Sequence, residues 1–79
     1  MNTRLRSLVR SILAAVPEGQ PGLSLPAIIA QMGALDPSAA APDIETAVQW
    51  NFKQGNVTFE FSHEHEVDLW HLTTRGRKA

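Results

Sequence analysis

The sequence predicts an α+β domain in which three helices are followed by a two-stranded antiparallel hairpin, and three patterns carry that prediction. Apolar residues recur at helical spacing from Leu5 to Val16 and again from Ile44 to Phe52. Polar and apolar residues alternate from Val57 to Phe61, as on a half-buried strand. Glycine and proline separate these segments at 17-PEGQPG-22, between Pro37 and Pro42, and at Gly55.

In the first helix, about residues 3–16, Leu5, Leu8, Val9, Ile12, Leu13 and Val16 form the stripe expected of a core-facing side. Thr3 is the candidate N-cap, and Pro17 with the glycines after it stops the helix. The second helix, about 24–32, has Ser24 as N-cap and Pro26 in its first turn. Ile28, Ile29 and Met32 form its buried face, and Gly33 is expected to close it in a left-handed conformation. Asp36 or Ser38 is expected to cap a short turn before Pro42 opens the third helix, about 42–54, with Asp43 and Glu45 at its positive end. Gly55 ends that helix. Strands of about 56–62 and 67–73 then pair Phe59 with Trp70 and Val57 with Leu72, through a loose turn near Glu64 and His65. A basic tail, about 74–79, follows. The expected core is Leu5, Leu8, Val9, Ile12, Leu13, Ile28, Ile29, Ile44, Val48, Phe52, Phe59, Trp70 and Leu72.

At 79 residues and 43% hydrophobic content this is one small domain, 1–79, with a modest core that a dimer could supplement. The absence of cysteine excludes a disulfide framework and a thiolate metal site. Arg6, Arg10 and Ser11 interrupt the first apolar segment, so neither a membrane span nor a signal peptide is expected, and a soluble, cytoplasmic chain is. No nucleophile–base spacing and no glycine-rich phosphate loop is present, so no enzyme, cofactor or small-molecule substrate is expected.

Net charge is −1, from 7 basic and 8 acidic residues, which is low for a nucleic-acid-binding domain of this size. The charges are segregated. Arg4, Arg6 and Arg10 lie at one end and Arg75, Arg77 and Lys78 at the other; between them Lys53 is the one basic residue, and all 8 acids lie in that middle.

Two short motifs add a resemblance. The stretch 55-GNV-57 looks like the G-x-V junction of bacterial winged-helix regulators, and 70-WHLTTRG-76 is similar to the Y-x-L-T-x-x-G ending of MarR- and PadR-like proteins. The chain thus resembles a winged helix-turn-helix domain over nearly its whole length. It departs where Asn51 stands at a position that is commonly leucine, and in having no long dimerisation helix after Gly76. The resemblance implies a small DNA-binding or transcription-regulatory protein of bacterial or mobile-element type, whose third helix enters the major groove.

Carried onto this chain, the reading positions are Glu45, Thr46, Gln49, Trp50 and Lys53. Gln49 suits adenine and Thr46 a thymine methyl or a phosphate, whereas Glu45 repels phosphate unless it accepts from a cytosine. Glu64 and Glu66 at the hairpin tip repel phosphate as well. Arg6, Arg10, Arg75, Arg77 and Lys78 are candidate phosphate contacts, the last three on a flexible arm; the plainer reading of the first-helix arginines is that they are solubilising charges. DNA binding is therefore expected to be weak and salt-dependent. The alternative is a protein-interaction module, or a homodimer, that uses Glu45, Trp50, Glu64 and Glu66, with Trp50 read either as a core filler against the hairpin or as an interface anchor. His63 and His65 could share a strand face, but a hairpin tip has no rigid second layer of support, so no metal site is expected.

Overall fold

The computed structural model describes residues 3–17 and 19–78. It has α1 (Thr3–Ala14), α2 (Leu25–Leu35), α3 (Ala41–Lys53), β1 (Val57–Ser62), β2 (Val67–Leu72) and a fourth helix, α4 (Thr74–Lys78). The protein is α+β, with the antiparallel hairpin as expected and one helix more than expected.

Each boundary has a local cause. Thr3, expected as a cap, lies within α1. The helix ends two residues early because Ala15 and Val16 donate to the Ile12 and Leu13 carbonyls, tightening the last turn to three-residue steps before Pro17. In α2 the Ser24 hydroxyl caps the Ala27 amide at 3.3 Å. The expected stop at Gly33 is corrected: the helix runs on to Leu35, and the Asp36 amide closes it on the Met32 carbonyl at 2.7 Å. The Asp36 carboxylate then accepts from the Ser38 amide (3.2 Å) and hydroxyl (2.6 Å), which builds the turn into Pro42. After α3, Gly55 adopts φ +78°, a left-handed conformation that glycine takes without strain and that turns the chain into β1.

The hairpin register is the expected one, Val57 opposite Leu72 and Phe59 opposite Trp70, around a turn at 63–66. A further backbone pairing was not foreseen. Leu23 and Trp70 exchange both amide bonds, at 2.9 and 2.7 Å, so a one-residue bridge flanks β2. With both backbone groups of Trp70 turned to Leu23, its pairing with Phe59 is the non-hydrogen-bonded kind, which brings side chains close; the two rings lie 4.8 Å apart. Gly22 is required here, because a Cβ at that position would collide with the Trp70 carbonyl.

The tail expected at 74–79 is helical up to Lys78. Thr73 organises it: its hydroxyl donates to the Gly55 carbonyl (2.6 Å) and accepts from the Gly76 amide (3.0 Å), while its own amide donates to the Asn56 carbonyl (3.0 Å). Gly76 is buried against Asn56, with no room for a side chain. These contacts hold α4 against the Gly55–Asn56 turn, beside α1 and β2.

Leu5, Val9, Ile12 and Leu13 of α1 pack with Ile28, Met32, Ile44, Ala47, Val48, Val57, Trp70 and Leu72. Leu8 and Ile29 sit at the margin of this core. Two expected core residues are corrected: Phe52 is 41% exposed and Phe59 39% exposed.

Candidate interaction surfaces

On α3 the buried stripe is Ile44, Ala47, Val48 and Asn51. Directly opposite, Thr46, Gln49 and Lys53 face solvent, and the Thr46 hydroxyl is already donated to the Pro42 carbonyl at 2.9 Å. This face has one cation. Glu45 and Trp50, five residues apart, are separated by about 140° around the axis and so occupy opposite flanks.

Trp50 lies on the α1 side. Its expected place against the hairpin is taken by Phe52, whose ring contacts Phe59 at 5.6 Å and Trp70 at 5.8 Å. Trp50 is half-buried, and the Arg6 guanidinium lies over its ring, 4.1 Å from the centroid, as a cation–π pair. Arg6 is thereby fixed in place beside the C-terminal half of α3.

Asn51 anchors the same seam from inside. It is fully buried, donates from Nδ2 to the Arg6 carbonyl (3.1 Å) and the Ala47 carbonyl (2.9 Å), and accepts at Oδ1 from Arg10 (3.0 Å) and from Asn56 (3.1 Å). Every polar position of the side chain is used, so Asn51 ties α1 and α3 to the turn that leads into β1. Arg10 also reaches Ser7 at 3.2 Å. Arg4 pairs with Asp36 at 3.4 Å. The Ser38 hydroxyl, aided by Arg4, holds the Asp36 carboxyl below its ordinary value of 3.8 against the opposing effect of desolvation. The first-helix arginines are therefore built into the fold as well as charged.

α4 brings the other basic end to this seam. Trp50, Gln54, Asn56, Thr74, Arg75 and Lys78 line a shallow depression of about 680 Å³. A smaller one, about 270 Å³, lies between Ser7, Arg10, Ser11 and Ala14 of α1 and Gly76 and Arg77 of α4. Arg6, Arg10, Arg75, Arg77 and Lys78 are thus gathered along one α1/α4 edge, from positions about 70 residues apart in the chain. Residues 74–78 are a docked helix and not the flexible arm that was expected.

The hairpin side is its opposite in charge. Glu64 and Glu66 occupy the exposed turn, where Glu66 takes φ +55°. Phe61, 53% exposed, sets its ring edge-on to His63 at 5.0 Å. His63 and His65 sit in the turn and not on a strand face, and among the described residues no three His, Asp or Glu side chains converge as metal ligands. No described helix is long and apolar enough to cross a membrane. Exposed Phe52, Phe59 and Phe61 form an aromatic surface that sequence patterning missed, because a strand or helix edge residue carries the same period whether or not anything covers it.

No protein-family model, no curated protein and no solved structure matches the chain.

Proposed function

We propose that the chain is a winged helix-turn-helix domain acting as a small DNA-binding or transcription-regulatory protein, held to nucleic acid mainly by phosphate contacts from the α1/α4 edge. The fold reading is supported by three helices leading through Gly55 into a hairpin, by the Leu23 bridge beside β2, and by the packing of Gly76. The functional reading is carried by one observation: the two basic chain ends meet beside Trp50, where Arg6, Arg75 and Lys78 flank the C-terminal half of α3. Phosphate neutralisation supplies most of the affinity of such domains, and α3 itself offers only Lys53. Gln49 and Thr46 add base contacts of secondary weight.

The test is the salt dependence of duplex binding, followed by anisotropy of a labelled oligonucleotide. Arg75→Ala and Lys78→Ala each lower the slope by about 0.9 units and weaken binding to all sequences alike. Lys53→Ala does less, because Lys53 lies off the seam. Tight, sequence-selective binding that survives both edge substitutions and is lost with Gln49→Ala would return base reading to α3 and sink the proposal. The second reading, a protein-interaction module, is favoured by the exposed aromatic surface between α3 and the hairpin.

A further inference from the structure

The geometry points to head-to-tail self-association: the aromatic, acid-rimmed face between α3 and the hairpin of one copy docks the basic α1/α4 edge of a second copy. This inference shares the basic edge with the nucleic-acid reading but does not depend on it.

The docking face has an apolar centre and a charged rim, the layout of a protein interface. Its centre is Phe52, Phe59 and Phe61, which remain 41%, 39% and 53% exposed, with Trp70 behind them. Asp68 lies directly across from Phe61 and so shares its side of the hairpin. Glu45 lies about two helical turns before Phe52 and so on the same flank of α3, and Glu64 and Glu66 occupy the exposed turn that follows Phe61, where His63 is the basic side chain in contact with that ring.

What covers such a face is argued from charge and ring chemistry. A twofold pairing of the face with itself would set Glu64, Glu66 and Asp68 of one copy against their counterparts, which like-charge repulsion opposes. The α1/α4 edge has the complementary character. Arg75 and Lys78 are exposed there, beside a half-buried Trp50, and a weakly hydrated guanidinium stacks on aromatic rings while pairing with carboxylates. A stable interface takes about 800 Å² from each partner, roughly a sixth of the 4974 Å² exposed by this chain. Because the two docking surfaces of one copy differ, the contact is heterologous and propagates into open chains or closes into a ring.

Sedimentation velocity on the purified chain tests this without nucleic acid. Wild type is expected to exceed monomer mass as concentration rises at about 50 mM salt, and to return toward monomer at about 500 mM, where exposed charge pairs are screened. A charge exchange then identifies the surfaces. The variant Glu64→Lys plus Glu66→Lys and the variant Arg75→Glu plus Lys78→Glu each lose self-association, since each now presents like charges on both surfaces. Mixed in equal amounts they assemble again, at least tenfold more tightly than either alone, about the effect of 1.4 kcal/mol. All four positions are exposed, and circular dichroism checks that both variants are folded before they are compared. A wild type monomeric at all concentrations, a closed dimer indifferent to these reversals, or a mixture that stays monomeric would overturn the inference.

Discussion

Asn51→Leu replaces a buried amide with an apolar side chain of similar size, and it should destabilise the fold. Asn51 is 0% exposed, and its Oδ1 accepts from Nδ2 of Asn56, a residue only 5% exposed, as well as from one Arg10 nitrogen. The two carbonyls it bonds, those of Arg6 and Ala47, lie within helices and keep their backbone partners. Leaving the buried Asn56 donor unpaired costs about 1–3 kcal/mol, and losing the charge-assisted bond from Arg10 costs about 1.5–3 kcal/mol. The lower end applies to Arg10, which stays half-exposed and keeps Ser7. Burying a leucine side chain returns about 1.5–3 kcal/mol. Taken at the middle of these ranges the net loss is about 1 kcal/mol, which for a domain of this size lowers the melting midpoint by roughly 4–8 °C. Thermal and urea unfolding followed by circular dichroism measure it. An Asn51→Leu variant that melts at or above wild type would show that the site takes a leucine and that the polar hub is dispensable. A double-mutant cycle with Arg10→Ala isolates the tie itself, which should appear as a coupling of about 0.5–3 kcal/mol.

Five further substitutions separate core, contact and charge. Leu13→Ala, at a fully buried position, should cost about 2–5 kcal/mol, whereas Phe61→Ser, at a 53% exposed one, should stay within about 0.5 kcal/mol in thermal unfolding. Gly76→Ala drives a methyl into the Asn56 carbonyl and should cost about 1–3 kcal/mol, with faster amide exchange in α4 as the local sign that the helix has lifted away. For Asp36 the folded-state pKa is depressed, so its stabilising contribution is present above the ordinary carboxylate value of 3.8 and is lost as pH falls through the lower folded value. Ser38→Ala should flatten the acid limb of urea stability more than Arg4→Ala, because the Ser38 hydroxyl is the larger cause; equal effects would contradict that order.

What the sequence revealed and what it hid follow from the range of the interactions involved. The α1 stripe, the Ser24 cap, the Gly55 turn and the Phe59–Trp70 register are local periods or local backbone needs, and a chain displays those directly. The Leu23 bridge is a single residue pair, too short to produce alternation. α4 spans five residues, less than the two turns over which a helical period can be read, and it owes its position to Thr73 and Gly76. Phe52 follows Val48 at helical spacing and reads as core, yet the hairpin meets only one side of its ring. The gathering of Arg6, Arg75 and Lys78 around Trp50 joins opposite ends of the chain, and only the closed fold reveals it.

That gathering bears on why α3 lacks arginines of its own. A helix that reads bases must carry its hydrogen-bonding groups on the face that enters the groove, whereas cations that grip phosphate can stand beside it. Here the beside-positions are filled from other elements: Arg6 is held over Trp50 by its ring, and Arg75 and Lys78 are delivered by α4. Under our proposal the positions that face the groove are Thr46, whose hydroxyl is committed to Pro42, together with Gln49 and Lys53. On the far flank Glu45, and at the hairpin tip Glu64 and Glu66, oppose a duplex that lies too close to them. Under our proposal a duplex is therefore drawn toward the α1/α4 side of α3 and away from the hairpin, an orientation set by charge and blind to sequence. Selectivity among sites would then rest on Gln49 and on how readily each duplex bends toward the edge, so Gln49→Ala should narrow the preference between sequences while leaving the salt slope intact.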